Sequence, residues 1–186
     1  EKIVTIVQQQ LALSRSIVRD NTTTIGAAIS VEKRNNHMKK VSILGLGYIG
    51  LPTAIVMAEH GFDIAGFDVD QHRVARLNAG DPVIQEPEIF EKLQAARSAG
   101  NFKAYDQLQA ADCFIIAVPT PFKGNKEADL SYVMNATERI ASVLCAGNTV
   151  ILESTVPVGT TMQIAAVLEA KTGLSAGEDF YVAHCP

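Results

Sequence analysis

The stretch ILGLGYIG, residues 43–50, constrains the fold more than any other part of the chain. Its glycines Gly45, Gly47 and Gly50 form GxGxxG directly after the apolar run KVSIL (40–44) and before a helical pattern. This order predicts a strand, a tight turn and a helix. The first glycine permits the turn, the second lets a ligand approach the backbone, and the third lets helix and strand pack closely. The start of the helix offers unpaired N–H groups and a positive dipole end, so we expect an anion such as a phosphate there.

A carboxylate at the end of the second apolar run makes this turn a candidate nucleotide site. The segment DIAGFDVD (63–70) places Asp68 just after a strand and 18 residues beyond Gly50. Dinucleotide-binding folds hold the adenosine ribose with a carboxylate at this place. Such a carboxylate accepts hydrogen bonds from the 2′-OH and repels a 2′-phosphate, so NAD is favoured over NADP. The structural alternative for Asp68 is a polar strand end or the cap of the helix that begins at Gln71.

Arg73, five residues after Asp68, leaves three alternatives open. Its guanidinium could bind a phosphate, cover the adenine face, or pair with Asp68 or Asp70.

Short apolar runs alternate with helical patterns from Lys40 onward, which is typical of repeated βαβ units. We predict an α/β fold, a Rossmann-like doubly wound parallel sheet of six strands. The predicted strands are 40–44, 63–67, 101–105, 113–118, 148–153 and 179–184, and the predicted helices are 48–60, 71–79, 87–99, 130–145 and 159–171.

Residues 1–37 differ in character from the rest and form an appended segment, which we expect to be helical over EKIVTIVQQQLALSRSIVRD. It is either an extension of little function or a surface that packs on the domain or on a partner. Met38 directly precedes the first strand, so we place the domain at 38–186 and regard Met38 as a candidate natural start.

Composition excludes several classes of function. The net charge is −4 with 16 Lys and Arg, which gives no footprint for nucleic acid. No apolar run approaches the roughly 20 residues that span a bilayer, so we expect no membrane partner. Cys113, Cys145 and Cys185 lie far apart without a CxxC pair, and the histidines lack ligand spacing, so no metal site is predicted. Reduced thiols indicate a cytoplasmic protein.

The ends of the later strands carry further candidates, because ligands of open α/β sheets lie beyond the carboxyl ends of the strands. In VPTPF, Thr120 lies between two prolines. The segment is either simply a rigid turn or a loop in which Thr120 contacts a ribose or phosphate, and the two interpretations are equally good. In ESTVPVGTT, Gly159, Thr160 and Thr161 open a helix, where we expect ordinary N-capping by at least one threonine. Glu153 is either a strand-end carboxylate paired with a backbone donor or a polar group that faces the crevice.

Taken together and in order, these segments resemble the N-terminal domain of the nucleotide-sugar 6-dehydrogenases, the UDP-glucose and GDP-mannose dehydrogenase family. The resemblance covers about residues 38–186, and within the family it is greatest to the bacterial UDP-N-acetyl-D-mannosamine dehydrogenases, followed by their UDP-N-acetylglucosamine relatives. The segments that carry it are ILGLGYIGLPTA, GFDVD, LNAGDPVIQEPE, AVPTPF, DLSYV and ILESTVPVGTT.

The resemblance implies an enzyme that oxidises the sugar C6 alcohol to a carboxylate in two NAD-dependent hydride transfers. It also implies a site residue by residue. Thr155 helps to hold a catalytic water, and Glu86 belongs to a loop that borders the cofactor. The implied NAD contacts are Gly45, Gly47, Tyr48, Ile49, Gly50, Asp68, Arg73, Thr120 and Thr161.

Other parts of the family pattern are absent from these 186 residues. The resemblance places the nucleophilic cysteine, a lysine, an asparagine and a glutamate after HCP, together with a dimerisation helix and a UDP-sugar-binding domain. We therefore expect this chain alone to bind NAD weakly and to be inactive, and a full-length form to be a homo-oligomer acting on a UDP-sugar. A dehydrogenase for another UDP-hexose, or a stand-alone NAD-binding module, are the alternatives.

Overall fold

The computed structural model describes residues 40–82, 84, 87–124 and 127–185. The predictions for residues 1–37, for the boundary at Met38 and for Glu86 lie outside the described residues. The strands are β1 (Lys40–Leu44), β2 (Asp63–Phe67), β3 (Phe102–Tyr105), β4 (Cys113–Ile116), β5 (Thr149–Leu152) and β6 (Tyr181–His184). The helices are α1 (Gly50–Glu59), α2 (Gln71–Ala79), α3 (Pro87–Ser98), α4 (Ser131–Ala141) and α5 (Thr160–Thr172).

The six strands form one sheet in the order β3-β2-β1-β4-β5-β6. All neighbouring strands run parallel, which confirms the predicted doubly wound sheet. The chain winds outward in one direction from β1 and in the other from β4. The crevice beyond the carboxyl ends of these two central strands is therefore the expected ligand site of this topology.

Burial of both faces of the sheet explains why the central strands are continuous apolar runs. All residues of β4 and β5 are buried, and in β1 only Lys40 is partly exposed. One face packs on α4 and α5 through an apolar cluster that includes Phe114, Ile140, Leu168 and Phe180. In the described ranges, no helix has the length and apolar character needed to cross a membrane.

The end of α4 differs most from its predicted position, since the helix ends at Ala141 and not at Cys145. The N–H groups of Ser142 and Val143 bond to carbonyls three residues earlier, at 3.2 and 3.0 Å, which tightens the chain out of the helix. The Cys145 N–H then donates to Oδ1 of Asn148 at 2.8 Å and closes a turn. Apolar periodicity alone does not reveal this tightening.

The side chain of Asn78 on α2 completes the hydrogen bonds of β3 at the edge of the sheet. Its Nδ2 donates to the Ala104 carbonyl at 2.9 Å, and its Oδ1 accepts from the Ala104 N–H at 3.0 Å. The amide thus takes the place of a neighbouring strand and satisfies both backbone groups of one edge residue.

We expect Asn78→Ala to lower the free energy of unfolding by about 1–2 kcal/mol, because it removes two hydrogen bonds from a partly buried edge. Urea denaturation measures the change. Asn135→Ala, a matched substitution at an exposed position on α4, is the control and should cost less than about 0.5 kcal/mol. Equal losses in the two variants would contradict a special role for Asn78.

Candidate functional site

A cavity of about 810 Å³ lies at the carboxyl ends of the central strands. Three walls surround it, together with Ala117, Val118 and Pro119 after β4. The first is the glycine turn after β1, from Gly45 to Ile49, and the second is the end of β2 with Phe67, Asp68, Val69 and Arg73. The third is the face of α4 with Ser131, Tyr132, Asn135, Ala136 and Arg139. The volume lies within the range of cofactor sites, roughly 300–1,000 Å³.

The glycines of the turn are required for different structural reasons. Gly45 has a φ of 94°, and a Cβ there would lie 2.7 Å from the carbonyl oxygen of Ala117. A Cβ on Gly50 would lie 1.8 Å from the carbonyl oxygen of Gly45. A Cβ on Gly47 would meet no atom within 4 Å. Gly45 and Gly50 are therefore needed by the turn itself, while Gly47 leaves open space at the cavity wall that a ligand can use.

Helix α1 begins at Gly50 and directs its N-terminus to the glycine turn. The predicted start at Tyr48 was too early, because residues 47–49 form the turn that precedes the helix. No side chain caps this helix, and its first turn contains no acidic residue. The positive dipole end has no competing carboxylate there, which suits the diphosphate of a dinucleotide.

Asp68 is fixed beside this turn by three donors. Its Oδ2 accepts from the Leu46 N–H at 2.9 Å and from Nη1 of Arg73 at 2.8 Å, and its Oδ1 accepts from the Asp70 N–H at 3.0 Å. The residue is only 4% exposed, yet it lines the cavity. A carboxylate has about four acceptor positions, so one remains for a hydroxyl of a ligand. Of the alternatives for Arg73, the structure shows the pairing with Asp68.

The interpretation of Asp68 as a helix cap is wrong, because Asp70 caps α2. Oδ1 of Asp70 accepts from the N–H groups of His72 and Arg73 at 2.9 and 3.2 Å. The Arg73 backbone N–H, with a smaller effect of the His72 N–H, holds the pKa of Asp70 below its ordinary value. Asp68 is thereby left for the cavity.

Thr120 and Thr155 lie close together in the structure, since Oγ1 of Thr120 donates to the Thr155 carbonyl at 2.8 Å. Oγ of Ser154 donates to the Val118 carbonyl at 2.7 Å, so the loops after β4 and β5 are joined at two points. Neither threonine lines the cavity, and Thr161 on α5 does not line it either. The Thr155 side chain is exposed. The cofactor and water contacts assigned to these residues stay predictions.

The expected threonine cap of α5 is wrong. Gly159 occupies the N-cap position with a φ of 91°, and no side chain caps the helix. The Thr160 hydroxyl instead donates back to the Pro157 carbonyl at 2.7 Å. A glycine in the left-handed region places both threonines inside the helix, where their hydroxyls cannot reach the cap N–H groups.

Glu153 fits neither interpretation from the sequence, since the donor to its carboxylate is a side chain and not a backbone N–H, and it does not line the cavity. Its Oε1 accepts from the hydroxyl of Thr53 on α1 at 2.8 Å. Its Oε2 is buried without a hydrogen-bond partner among the described residues. Burial raises the pKa of Glu153, and the Thr53 hydroxyl opposes this only in part. The carboxyl group therefore connects the end of β5 to the helix that carries the glycine turn.

The raised pKa predicts how stability depends on pH. Folding favours the protonated form of Glu153, so its contribution is most favourable below the unfolded pKa and is lost as pH rises through the folded pKa. We expect Glu153→Gln to raise the free energy of unfolding at pH 7.5 by less than about 1 kcal/mol, since the group is partly exposed. The gain should shrink as the pH falls to about 4, near the unfolded value.

Urea titrations of both proteins at several pH values test this expectation. Glu178→Gln changes an exposed glutamate and is the matched control. A Glu153→Gln variant that is less stable than the parent at pH 7.5 would show that the ionised carboxylate stabilises the fold.

Sequence reasoning missed the α4 wall of the cavity. Ser131, Asn135 and Arg139 recur at every fourth position, which places them on one face of a helix. The segment DLSYVMNATERI thus contains a polar stripe beside the buried positions Val133 and Ile140. Only the packing of the structure shows that this stripe faces the end of β2, where Arg139 lies over the Phe67 ring.

Comparison with known proteins agrees with the geometry of the cavity. The family profile described as UDP-glucose/GDP-mannose dehydrogenase family, NAD binding domain, matches residues 39–186. The UDP-N-acetyl-D-mannosamine dehydrogenase of Pyrococcus horikoshii is 45% identical over 150 residues, which are 79% of this chain and 36% of that protein. The NDP-N-acetyl-D-galactosaminuronic acid dehydrogenase of Ralstonia nicotianae is 46% identical over 155 residues, which are 80% of this chain and 37% of that protein.

Solved structures show the same relationship. The UDP-N-acetyl-mannosamine dehydrogenase of Staphylococcus aureus is similar with a TM-score of 0.76 and 40% identity, over 80% of this chain and 36% of that one. This chain thus spans little more than a third of the length of these relatives. The chain belongs to the UDP-glucose/GDP-mannose dehydrogenase family, and its residues 39–186 are the NAD-binding domain of that family.

Proposed function

We propose that this chain is the cofactor-binding part of a nucleotide-sugar 6-dehydrogenase that oxidises the C6 alcohol of UDP-N-acetyl-D-mannosamine to a carboxylate with two NAD. The main support for cofactor binding is the position of Asp68. Its buried carboxylate accepts hydrogen bonds from the Leu46 N–H at the glycine turn and from Arg73. The proposed sugar substrate is supported by relatives that share 40–47% identity with the chain and are named UDP-N-acetyl-D-mannosamine dehydrogenase.

Different residues of the chain would bind different parts of the cofactor. Bound NAD would accept a hydride in each of the two oxidations. The glycine turn and the N-terminus of α1 would bind its diphosphate, and Asp68 would accept a hydrogen bond from the adenosine ribose. Arg73 keeps the Asp68 carboxylate in place, and that carboxylate would exclude a 2′-phosphate.

The loops after β4 and β5 would border the reacting end of the cofactor. The hydrogen bond from Thr120 to the Thr155 carbonyl and that from Ser154 to the Val118 carbonyl fix these loops to each other. The Thr155 side chain is exposed and would help to orient a water, as the family resemblance implies. We further propose that the nucleophilic cysteine and its lysine and asparagine partners belong to the part of the family that this chain does not match, so these 186 residues alone bind NAD without turnover.

A second UDP-hexose is the main alternative for the substrate. The Ralstonia nicotianae relative is as similar to this chain as the Pyrococcus horikoshii one, and its name refers to an N-acetyl-D-galactosaminuronic acid. We propose a cytoplasmic homo-oligomer as the working form, without nucleic acid or membrane partners. A stand-alone NAD-binding module remains the alternative of a different class.

Turnover by a polypeptide that contains this chain and the family's remaining domains tests the proposal. It should release two NADH for each UDP-N-acetyl-D-mannosamine and form the corresponding uronic acid, measured by absorbance at about 340 nm and by mass spectrometry. A higher kcat/KM for UDP-N-acetylgalactosamine, UDP-N-acetylglucosamine or UDP-glucose would transfer the assignment to that sugar. NAD binding by the 186-residue chain without any turnover in the longer form would favour the stand-alone module.

A further inference from the structure

The α4 wall of the cavity contains a pair of polar side chains that no role above uses. Nε of Arg139 donates to Oδ1 of Asn135 at 3.0 Å, one helical turn earlier. The Arg139 guanidinium also lies over the ring of Phe67, 5.4 Å from its centroid. Phe67 directly precedes Asp68 at the end of β2. Through Phe67, the Asn135–Arg139 pair therefore contacts the β2 wall, which would bind the adenosine ribose.

The residues that line the cavity indicate where the base of a bound dinucleotide lies. The glycine turn would bind the diphosphate and Asp68 the ribose, so the attached base would lie beyond Asp68, on the side of the cavity formed by the β2 and α4 walls. Two apolar side chains on these walls are exposed although they line the cavity, Val69 at 70% and Tyr132 at 51%. Their exposed surfaces suit contact with a flat aromatic ring.

The charge of Arg139 distinguishes it from the other arginine of the cavity. Arg73 is paired with Asp68, whereas Arg139 has no carboxylate within ion-pair distance in the described part of the chain. The neighbouring Glu138 is paired with Lys171 at 3.4 Å. A guanidinium without a counter-charge can act on the π-face or the acceptor atoms of a bound base.

The hydrogen bond between Arg139 and Asn135 also determines which side-chain atoms of Asn135 are available to a ligand. A guanidinium only donates, so the Asn135 amide must direct its oxygen to Arg139 and its NH₂ group elsewhere. The pair thus presents donors alone: the amide NH₂ and the two Nη groups of Arg139. Donors match N3 and N7, the ring nitrogens that are acceptors in both adenine and hypoxanthine, but they cannot recognise the exocyclic amine of adenine, which is itself a donor.

We propose that Asn135 and Arg139 are specificity-determining residues of the base subsite, which recognise a purine through its ring face and acceptor nitrogens and not through its 6-amino group. This inference rests on the proposed function, because it needs NAD to bind in the cavity. Its consequence is that hypoxanthine, which keeps N3 and N7 as acceptors and differs from adenine only at C6 and N1, is bound as well as adenine.

Calorimetry on the 186-residue chain, titrated with NAD and with nicotinamide hypoxanthine dinucleotide, tests this proposal. The two dissociation constants should agree within about fivefold, since a site built to recognise the amine would reject the analogue far more strongly. Arg139→Met should weaken NAD binding about tenfold, and Asn135→Ala, which releases the arginine, should weaken it about threefold. Arg76→Met changes an exposed arginine of α2 outside the cavity and should have no effect.

The outcomes separate the two claims. Absence of NAD binding by the parent chain would overturn the proposed function and this inference with it. NAD binding that is unchanged in Arg139→Met, or a hypoxanthine analogue that binds more than about fivefold weaker, would overturn this inference alone. Circular dichroism and urea denaturation of each variant ensure that a loss of binding is not a loss of fold.

Discussion

Gly50→Ala is expected to destabilise the domain by about 3 kcal/mol or more and to abolish NAD binding. The added Cβ would lie 1.8 Å from the Gly45 carbonyl oxygen and 3.2 Å from the Ala117 side chain. The first of these neighbours is backbone, so no rotamer change relieves the clash. Either the turn or the start of α1 must move away from β1, which opens the core around Leu51 and Leu44. Urea denaturation and calorimetry with NAD measure the two losses.

Gly47→Ala is the matched control for this substitution. A Cβ on Gly47 would meet no atom within 4 Å, so the free energy of unfolding should change by less than about 1 kcal/mol. NAD binding should nevertheless fall by at least about tenfold, because the methyl group enters the cavity where the diphosphate approaches the backbone. Equal stabilities of the two variants would contradict the packing argument. Full NAD affinity in Gly47→Ala would contradict the position of the diphosphate.

Asp68→Asn is expected to have the second largest effect. The amide NH₂ of asparagine must face either the Asp70 N–H or the Leu46 N–H and Arg73, and each of these is a donor. At a buried position this conflict, together with the loss of the Arg73 ion pair, should cost about 2–4 kcal/mol. We expect NAD to bind about 10–100-fold more weakly, and the preference for NAD over NADP to decrease because the 2′-phosphate no longer meets a carboxylate.

Asp70→Asn provides the comparison two residues away. Asparagine caps helices as well as aspartate does, so the bonds from the His72 and Arg73 N–H groups can persist. Stability and NAD affinity should both stay close to those of the parent chain. A loss in Asp70→Asn as large as that in Asp68→Asn, in calorimetry or in urea denaturation, would show that the local charge matters and not the position of Asp68.

The sheet was predictable from the sequence because its strands are short, apolar and regularly spaced. Both β1 and β2 have their predicted bounds, and so does α2, which Asp70 caps at one end and Gly80 at the other. Such local signals depend on neighbouring residues alone. Parallel strands buried on both faces leave few other folds for this pattern.

The contacts of the site were less predictable because they join distant parts of the chain. Glu153 meets Thr53 across a separation of 100 residues, and Arg139 meets Phe67 only because α4 packs beside the end of β2. Asp68 could be placed at the cavity from the sequence because its position in the motif is set by the strand before it; its contact with the ribose stays a prediction. Its competition with Asp70 for the helix cap was decided by side-chain geometry, which no spacing rule contains.

Chemical-shift mapping of the 186-residue chain by NMR, in titrations with NAD and NADP, tests the central claim most directly. The account predicts that NAD shifts the backbone amide signals of Gly45, Gly47, Ile49, Asp68 and Arg139, and that NADP shifts them only at concentrations at least about tenfold higher. NAD that causes no shifts, or shifts confined to residues outside the cavity, would contradict the claim that this domain holds its cofactor between the glycine turn, Asp68 and α4.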